Sequence, residues 1–148
     1  MITRHDPTCV LTAEEAAAPE HREALIARFG EKAYRLWCDA RHPQRLLAPT
    51  SIGTATDAEG CRISIALGMY GEIVAQTDFD AEGCPSAKIA AAAAAHWAMG
   101  RTLDEVAAMD EAAVVATLGD FPQEARRHAR LAGKAVRAAA ARWQARAN

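Results

Sequence analysis

Residues Phe79 to Glu105 read FDAEGCPSAKIAAAAAAHWAMGRTLDE. This stretch contains one cysteine, Cys84, followed by a proline and then by a run made almost entirely of alanine. Proline is favoured at the first position of a helix, and glycine is favoured just beyond the last one. The stretch therefore predicts a helix that begins near Cys84 and ends at Gly100.

Two runs of alternating apolar residues precede this helix, at Ile63–Leu67 and at Ile73–Phe79. Alternation with a period of two predicts a β-hairpin over residues 62–80, with its turn within 68–71. One face of such a hairpin must be buried, and the alanine-rich helix allows a close approach to that face. Residues 44–60 are rich in small and polar residues and are predicted to be a loop with one edge strand.

Helical spacing and capping patterns account for the remaining chain. Thr12–Glu15 has capping-box spacing, and apolar residues then recur at helical spacing from Pro19 until Pro43. Thr102–Glu105 is a second capping box, and Pro122 is predicted to open the last helix. The order of helix, strands and helices predicts an α+β fold, with a small antiparallel sheet packed against several helices.

Composition and charge exclude several classes of protein. The chain has 148 residues and a net charge of −2, which argues against a nucleic-acid or membrane-surface binder. The first twenty residues carry four acidic residues and do not resemble a signal peptide. The longest apolar run, Ile89–Ala95, is too short to span a bilayer. We therefore expect a cytoplasmic protein, in whose reducing surroundings the four cysteines are more often thiols or ligands than disulfides.

Cys84 is the first candidate for a functional residue. It stands where a helix cap is expected, and unpaired N–H groups give a helix N-terminus roughly half a positive charge. That field stabilises a thiolate, which is both a metal ligand and a nucleophile. The alternative interpretation is a small buried apolar residue, because cysteine is often buried without a function.

Cys61, Glu59 and His128 are further candidates. Cys61 precedes the first hairpin strand and Cys84 follows the second, so a hairpin brings the two thiols towards each other, with Glu59 in the adjoining loop. His128 shares a helix face with Ala132, Val136, Ala139 and Trp143, and we expect that face to be buried. The alternative interpretation of Cys61 is an apolar residue at a strand end, and that of Glu59 is a solvated loop charge. His128 would be a core histidine whose hydrogen bonds are satisfied.

The motif around Cys84 resembles the iron–sulfur cluster assembly scaffolds of the IscU, NifU N-terminal and SufU type. The similarity extends over roughly residues 33–145, so that 1–30 is interpreted as an N-terminal extension and 31–148 as the domain. It includes the last helix at Leu131–Trp143. The positions in register with the family motif are Phe79, Gly83, Cys84, Ser86, Ala87, Trp97, Gly100 and Thr102–Glu105.

The resemblance implies a metal or cluster site with altered ligands. Members of the family hold a [2Fe–2S] cluster, or Zn²⁺ in the SufU type, with three cysteines and an aspartate. Cys84 matches the middle cysteine. Glu59 and Cys61 stand where the family has cysteine and aspartate, and His128 stands at the last cysteine. All these residues can bind metal, and Cys84 and Cys61 are the expected sulfur acceptors.

The implied function is a scaffold or carrier rather than an enzyme. A cysteine desulfurase would supply its sulfur, and apo iron–sulfur proteins would receive the cluster. The chaperone-docking motif of the family is reduced to Phe121–Ala125, which argues against recruitment of an Hsp70-type chaperone. Three alternatives remain: a zinc-bound sulfur acceptor, a degenerate homologue that only binds proteins, and a thiol enzyme that uses Cys84 and His128.

Overall fold

The structure is a computed structural model, and it describes residues 19–40, 50–83, 85–119 and 121–147. The predicted capping box at Thr12–Glu15 and the predicted helix end at Pro43 lie outside these residues. In chain order the elements are helix α1 Pro19–Phe29, helix α2 Glu31–Ala40, strands β1 Thr50–Thr56, β2 Arg62–Tyr70 and β3 Ile73–Glu82, and helices α3 Pro85–Ala98, α4 Leu103–Ala107, α5 Glu111–Leu118 and α6 Arg126–Ala147.

The three strands form one antiparallel sheet in the order β1-β2-β3. The predicted hairpin is confirmed, and Ile63, Ile65 and Leu67 are fully buried on its covered face. The predicted edge strand is β1. Gly68 lies inside β2 at a register irregularity, so the turn between the strands is shorter than predicted. The α+β fold predicted from the sequence is confirmed.

Gly30 divides the first helical run into two helices. The sequence predicts one helix from Pro19, whereas α1 ends at Phe29 and α2 begins at Glu31. The φ angle of Gly30 is 93°, a left-handed conformation that glycine adopts without a steric penalty. Leu25 and Phe29 of α1 are 1% exposed, so part of the predicted N-terminal extension packs into the core. The domain boundary near residue 30 remains a prediction.

The alanines of α3 are the centre of the core. Residues 90–95 are all buried, and α3 contacts β2, β3 and α6. Helix α6 contacts α3 as well as β2, and it lies directly on β1, where Ser51 Oγ donates a hydrogen bond of 2.7 Å to the carbonyl oxygen of Ala139. Small side chains on both helices allow this close packing, which brings α6 to the loop between β1 and β2.

The helical region after Gly100 consists of two helices. Thr102 and Glu105 form the predicted capping box at the start of α4, and hydrogen bonds from Thr102 hold the pKa of the Glu105 carboxyl below its usual value. Asp110 caps α5 with a bond from the N–H of Ala113. A 3₁₀ turn at Gln123–Ala125 precedes α6, so the last helix begins slightly later than its proline predicts.

Within the described residues, no helix combines the length and apolarity that crossing a bilayer requires.

Candidate metal centre

Asp57 organises the loop between β1 and β2. Its Oδ1 accepts hydrogen bonds from the backbone N–H groups of Glu59, at 2.9 Å, and Cys61, at 3.0 Å. Its own N–H donates to the carbonyl oxygen of Cys61 at 3.0 Å, and Gly60 turns the chain with a φ of 88°. An aspartate commonly stabilises a tight turn in this way. The loop thereby fixes both the Asp57 carboxyl group and the start of β2.

His128 reaches the same region from the first turn of α6. Its side chain is 2% exposed, and Ala132, Val136 and Ala139 on the same face are fully buried. The buried face predicted for this helix is therefore confirmed. Nδ1 of His128 lies 2.6 Å from the hydroxyl oxygen of Ser86 in the first turn of α3. The ring is thus held between α3 and the β1–β2 loop.

Asp57, Cys61 and His128 bring three potential metal ligands together. One ligand atom from each residue lies within 4.8 Å of the other two. Asp57 Oδ2 and His128 Nε2 are buried and have no hydrogen-bond partner among the residues that the structure describes. Leaving a buried polar atom without a partner costs about 1–3 kcal/mol. A metal ion bound between these atoms would remove that cost, so the donor set fits a metal chemically.

The electrostatic surroundings keep the imidazole neutral. Burial is the largest cause, and it lowers the pKa of His128 from 6.5 to about 4. The charges of Arg127 and Arg28 lower this pKa further, whereas the carboxylate of Asp57 opposes them. Neutral imidazole is the form that binds metal. At neutral pH the His128 ring is therefore uncharged, and it does not have to lose an imidazolium proton before it binds a metal.

The lowered pKa predicts a pH-dependent stability for the metal-free protein. Because the pKa is about 4 in the folded state and 6.5 in the reference state, the unfolded chain binds more protons between these values. The free energy of unfolding therefore has its full contribution from His128 above pH 6.5. As the pH falls from 6.5 towards 4, the free energy of unfolding decreases by about 3 kcal/mol in total. Urea unfolding at several pH values should show this loss in the wild type and a smaller loss in His128→Gln.

The other residues predicted for the site have different surroundings. Glu59 forms an ion pair with Arg127, in which both side chains are about two-fifths exposed. Cys84 lies outside the described residues. Its neighbour Gly83 lies against Cys61, since a Cβ atom on Gly83 would be 2.7 Å from the Cys61 sulfur. The ligand roles of Glu59 and Cys84 remain predictions.

Asp57 was not identified from the sequence. The positions in this loop that match the family motif are Glu59 and Cys61, and Asp57 is not one of them. The available signal was an aspartate four residues before a cysteine, with a glycine between them. That pattern favours a turn in which the aspartate bonds the following N–H groups, and such a turn places its carboxyl group beside the cysteine.

One protein family matches most of this chain. The family model described as NifU-like N terminal domain matches residues 48–148. This match covers more than half of the chain, so the protein belongs to the NifU-like N-terminal domain family. None of the curated proteins compared matches the sequence.

Two solved structures share the fold. One is the N-terminal part of a nitrogen-fixing NifU-like protein from Brucella abortus, with 14% identity and a TM-score of 0.61; the match covers 82% of this chain and 97% of that one. The other is a putative iron–sulfur cluster assembly scaffold protein for the SUF system from Fervidobacterium islandicum AW-1, with 12% identity and a TM-score of 0.50; here the match covers 71% and 93%.

Proposed function

We propose that this protein is an iron–sulfur cluster assembly scaffold or carrier. Family membership supports the assignment, as does the name of the Fervidobacterium protein with the same fold. The observation that carries the metal-binding part of the proposal is the convergence of Asp57, Cys61 and His128 within 4.8 Å, with two buried atoms that lack partners among the described residues. In this role the protein binds cargo and catalyses no reaction of its own.

We assign Cys61, His128 and Asp57 as ligands and retain Cys84 as a fourth ligand and sulfur acceptor. This set contains two thiolates, one imidazole and one carboxylate, all of which bind Zn²⁺. Iron–sulfur clusters also accept histidine in place of cysteine. Glu59 is the weaker candidate, because its carboxylate is engaged by Arg127. A cysteine desulfurase as sulfur donor, apo iron–sulfur proteins as recipients and a cytoplasmic location complete the proposal.

The spacing of the donors favours one metal ion at these three residues. Ligands of a tetrahedral zinc ion lie about 2.0–2.3 Å from the metal, which puts them roughly 3.5 Å from each other. The three atoms observed within 4.8 Å of one another need only a small contraction to reach that geometry. Donors to both irons of a [2Fe–2S] cluster would be further apart. A zinc-bound sulfur acceptor is therefore the second candidate function.

Anaerobic purification followed by an absorption spectrum and by iron, zinc and sulfide analysis tests the proposal. Colour together with sulfide would support a cluster scaffold, and zinc without sulfide would support the sulfur acceptor. Protein that holds neither, even after incubation with Fe²⁺, sulfide or Zn²⁺, would contradict both assignments and leave an interaction module.

The assignment of Asp57 rather than Glu59 makes a specific prediction. Asparagine at position 57 keeps an oxygen for the two N–H groups of the loop but replaces Oδ2 with an amide nitrogen, which does not bind Zn²⁺. We expect Asp57→Asn to weaken Zn²⁺ binding about tenfold or more, as changes around metal sites commonly do. The measurement is a competition titration with a chromophoric chelator.

Glu59→Gln is the matched control from the same loop. It removes a carboxylate two residues away and breaks only a partly exposed ion pair, which contributes about 0–1 kcal/mol to stability. We expect its Zn²⁺ affinity to stay within about fivefold of the wild type, the factor that corresponds to about 1 kcal/mol. A larger loss in Glu59→Gln than in Asp57→Asn would reverse the assignment.

A further inference from the structure

Ser86, in the first turn of α3, contacts the ring of His128, one of the three candidate ligands. Its hydroxyl oxygen lies 2.6 Å from Nδ1 of His128, and the two side chains are 3% and 2% exposed. A hydroxyl group can donate one hydrogen bond and accept others, and each imidazole nitrogen can be donor or acceptor according to the tautomer. The direction of this one bond therefore decides which ring nitrogen carries the proton.

In the metal-free protein we expect the hydroxyl to be the donor. Among the residues that the structure describes, Ser86 Oγ bonds Nδ1 and has no second acceptor for its proton. The opposite direction would leave two buried groups without a partner in the metal-free protein, the hydroxyl proton and the Nε2 lone pair, whereas this direction leaves only the proton on Nε2. The ring then accepts at Nδ1 and carries its own proton on Nε2, the nitrogen that is buried without a partner among those residues.

Metal binding requires the opposite direction. Nε2 could donate its lone pair to a metal ion only in the other tautomer, so the proton on Nε2 would leave to solvent water and a proton from water would be taken up at Nδ1. The ring carries one proton before and after the exchange, and its charge does not change. Nδ1–H now donates to Ser86 Oγ, which accepts with a lone pair. Such outer contacts fix the tautomer and orientation of metal-binding histidines.

We propose that Ser86 is a positioning residue that exchanges donor and acceptor roles with His128 when a metal ion binds Nε2. The inference rests on the proposed function, in which His128 is a ligand, and adds the residue that supports its ring in both states. A serine suits this position because an alanine would leave Nδ1 without a partner, and a fixed acceptor would favour the metal-bound tautomer alone.

The nitrogen-15 shifts of the two ring nitrogens of His128 report the tautomer directly. They would be measured on the full chain after treatment with a chelator and again after addition of Zn²⁺, with His128→Gln to assign the signals. We expect the proton on Nε2 in the metal-free wild type and on Nδ1 in the zinc-loaded protein. A proton on Nδ1 in the metal-free protein, or no change on loading, would overturn the exchange.

The zinc affinity of Ser86→Ala gives a second measurement. We expect a loss of about 10–100-fold, the range found when the outer partner of a metal-binding histidine is removed. Ser64→Ala is the control, since that hydroxyl bonds Thr54 at 2.9 Å on the exposed side of the sheet, and its affinity should equal that of the wild type. Equal affinities for Ser86→Ala and the wild type would contradict the role of Ser86.

Failure of the proposed function would be seen separately. If the wild type takes up neither Zn²⁺ nor iron, the metal-free spectra still compare the wild type with Ser86→Ala. A changed shift at Nδ1 in the variant would support the donor role of Ser86 in that state, and identical ring shifts would overturn it.

Discussion

Replacing Gly53 with alanine is expected to destabilise the protein more than replacing other glycines with alanine. A Cβ atom at this position would lie 2.1 Å from the carbonyl oxygen of Ala135 and 2.2 Å from the amide nitrogen of Ala139. Both atoms belong to the backbone of α6, which cannot move without leaving the sheet. Overpacking usually costs about 1–3 kcal/mol, and we expect the upper end or more. The free energy of unfolding from urea titration measures the loss.

Gly133→Ala is the matched control for this prediction. Gly133 lies in α6 itself, and a Cβ atom there would meet the flexible end of Arg137 at 3.3 Å and the backbone of Asp110 at 3.6 Å. Glycine within a helix is less stable than alanine by about 0.5–1 kcal/mol. The variant should therefore unfold at the same urea concentration or a higher one. A Gly53→Ala protein as stable as Gly133→Ala would refute the close approach of α6 to β1.

The second large effect is expected from His128→Ala. The change removes one of three converging ligands and leaves Asp57 and Cys61 facing an empty space. Because the histidine itself is lost, we expect Zn²⁺ affinity to fall by at least about 100-fold, the upper limit seen for its outer partners. Chelator competition would measure the affinity, and thermal unfolding of the metal-free protein would show whether the variant still folds.

Two further variants separate metal binding from folding. His128→Gln retains a polar side chain of similar reach, so it should fold and still bind Zn²⁺ poorly. His96→Ala changes an exposed histidine in the last turn of α3, and we expect it to bind Zn²⁺ like the wild type. Equal metal content in His128→Ala, His128→Gln and His96→Ala would reject His128 as a ligand.

The elements of the fold could be predicted because their signals are local. Alternation at Ile63–Leu67 identified the hairpin, and the alanine run after Pro85 identified α3. Gly30 was missed as a helix end because a single glycine inside a helical pattern is usually tolerated, at a small cost in helix stability. Gly30 ends α1 with a φ of 93°, and its N–H donates to the carbonyl oxygen of Ile26 at 2.8 Å.

The candidate site could be predicted only in part from the sequence. Cys61 and His128 were chosen because they match ligand positions of the family, and the structure places their ligand atoms within 4.8 Å of Asp57. Glu59 was chosen because it matches a family cysteine, and Asp57 was not among the candidates. The ion pair with Arg127 and the hydrogen bonds of the loop distinguish the two acids, and neither follows from motif spacing.

Hydrophobic period, capping residues and motif spacing are properties of neighbouring positions, so the type and order of most elements, the buried face of α6 and the family motif could be predicted from them. Which donors meet depends on the tertiary structure. Asp57 and His128 are 71 positions apart, and they converge because Gly53 and the small residues of α6 let that helix lie directly on β1. The direction of a side chain in a loop depends on such long-range packing, which local patterns do not encode.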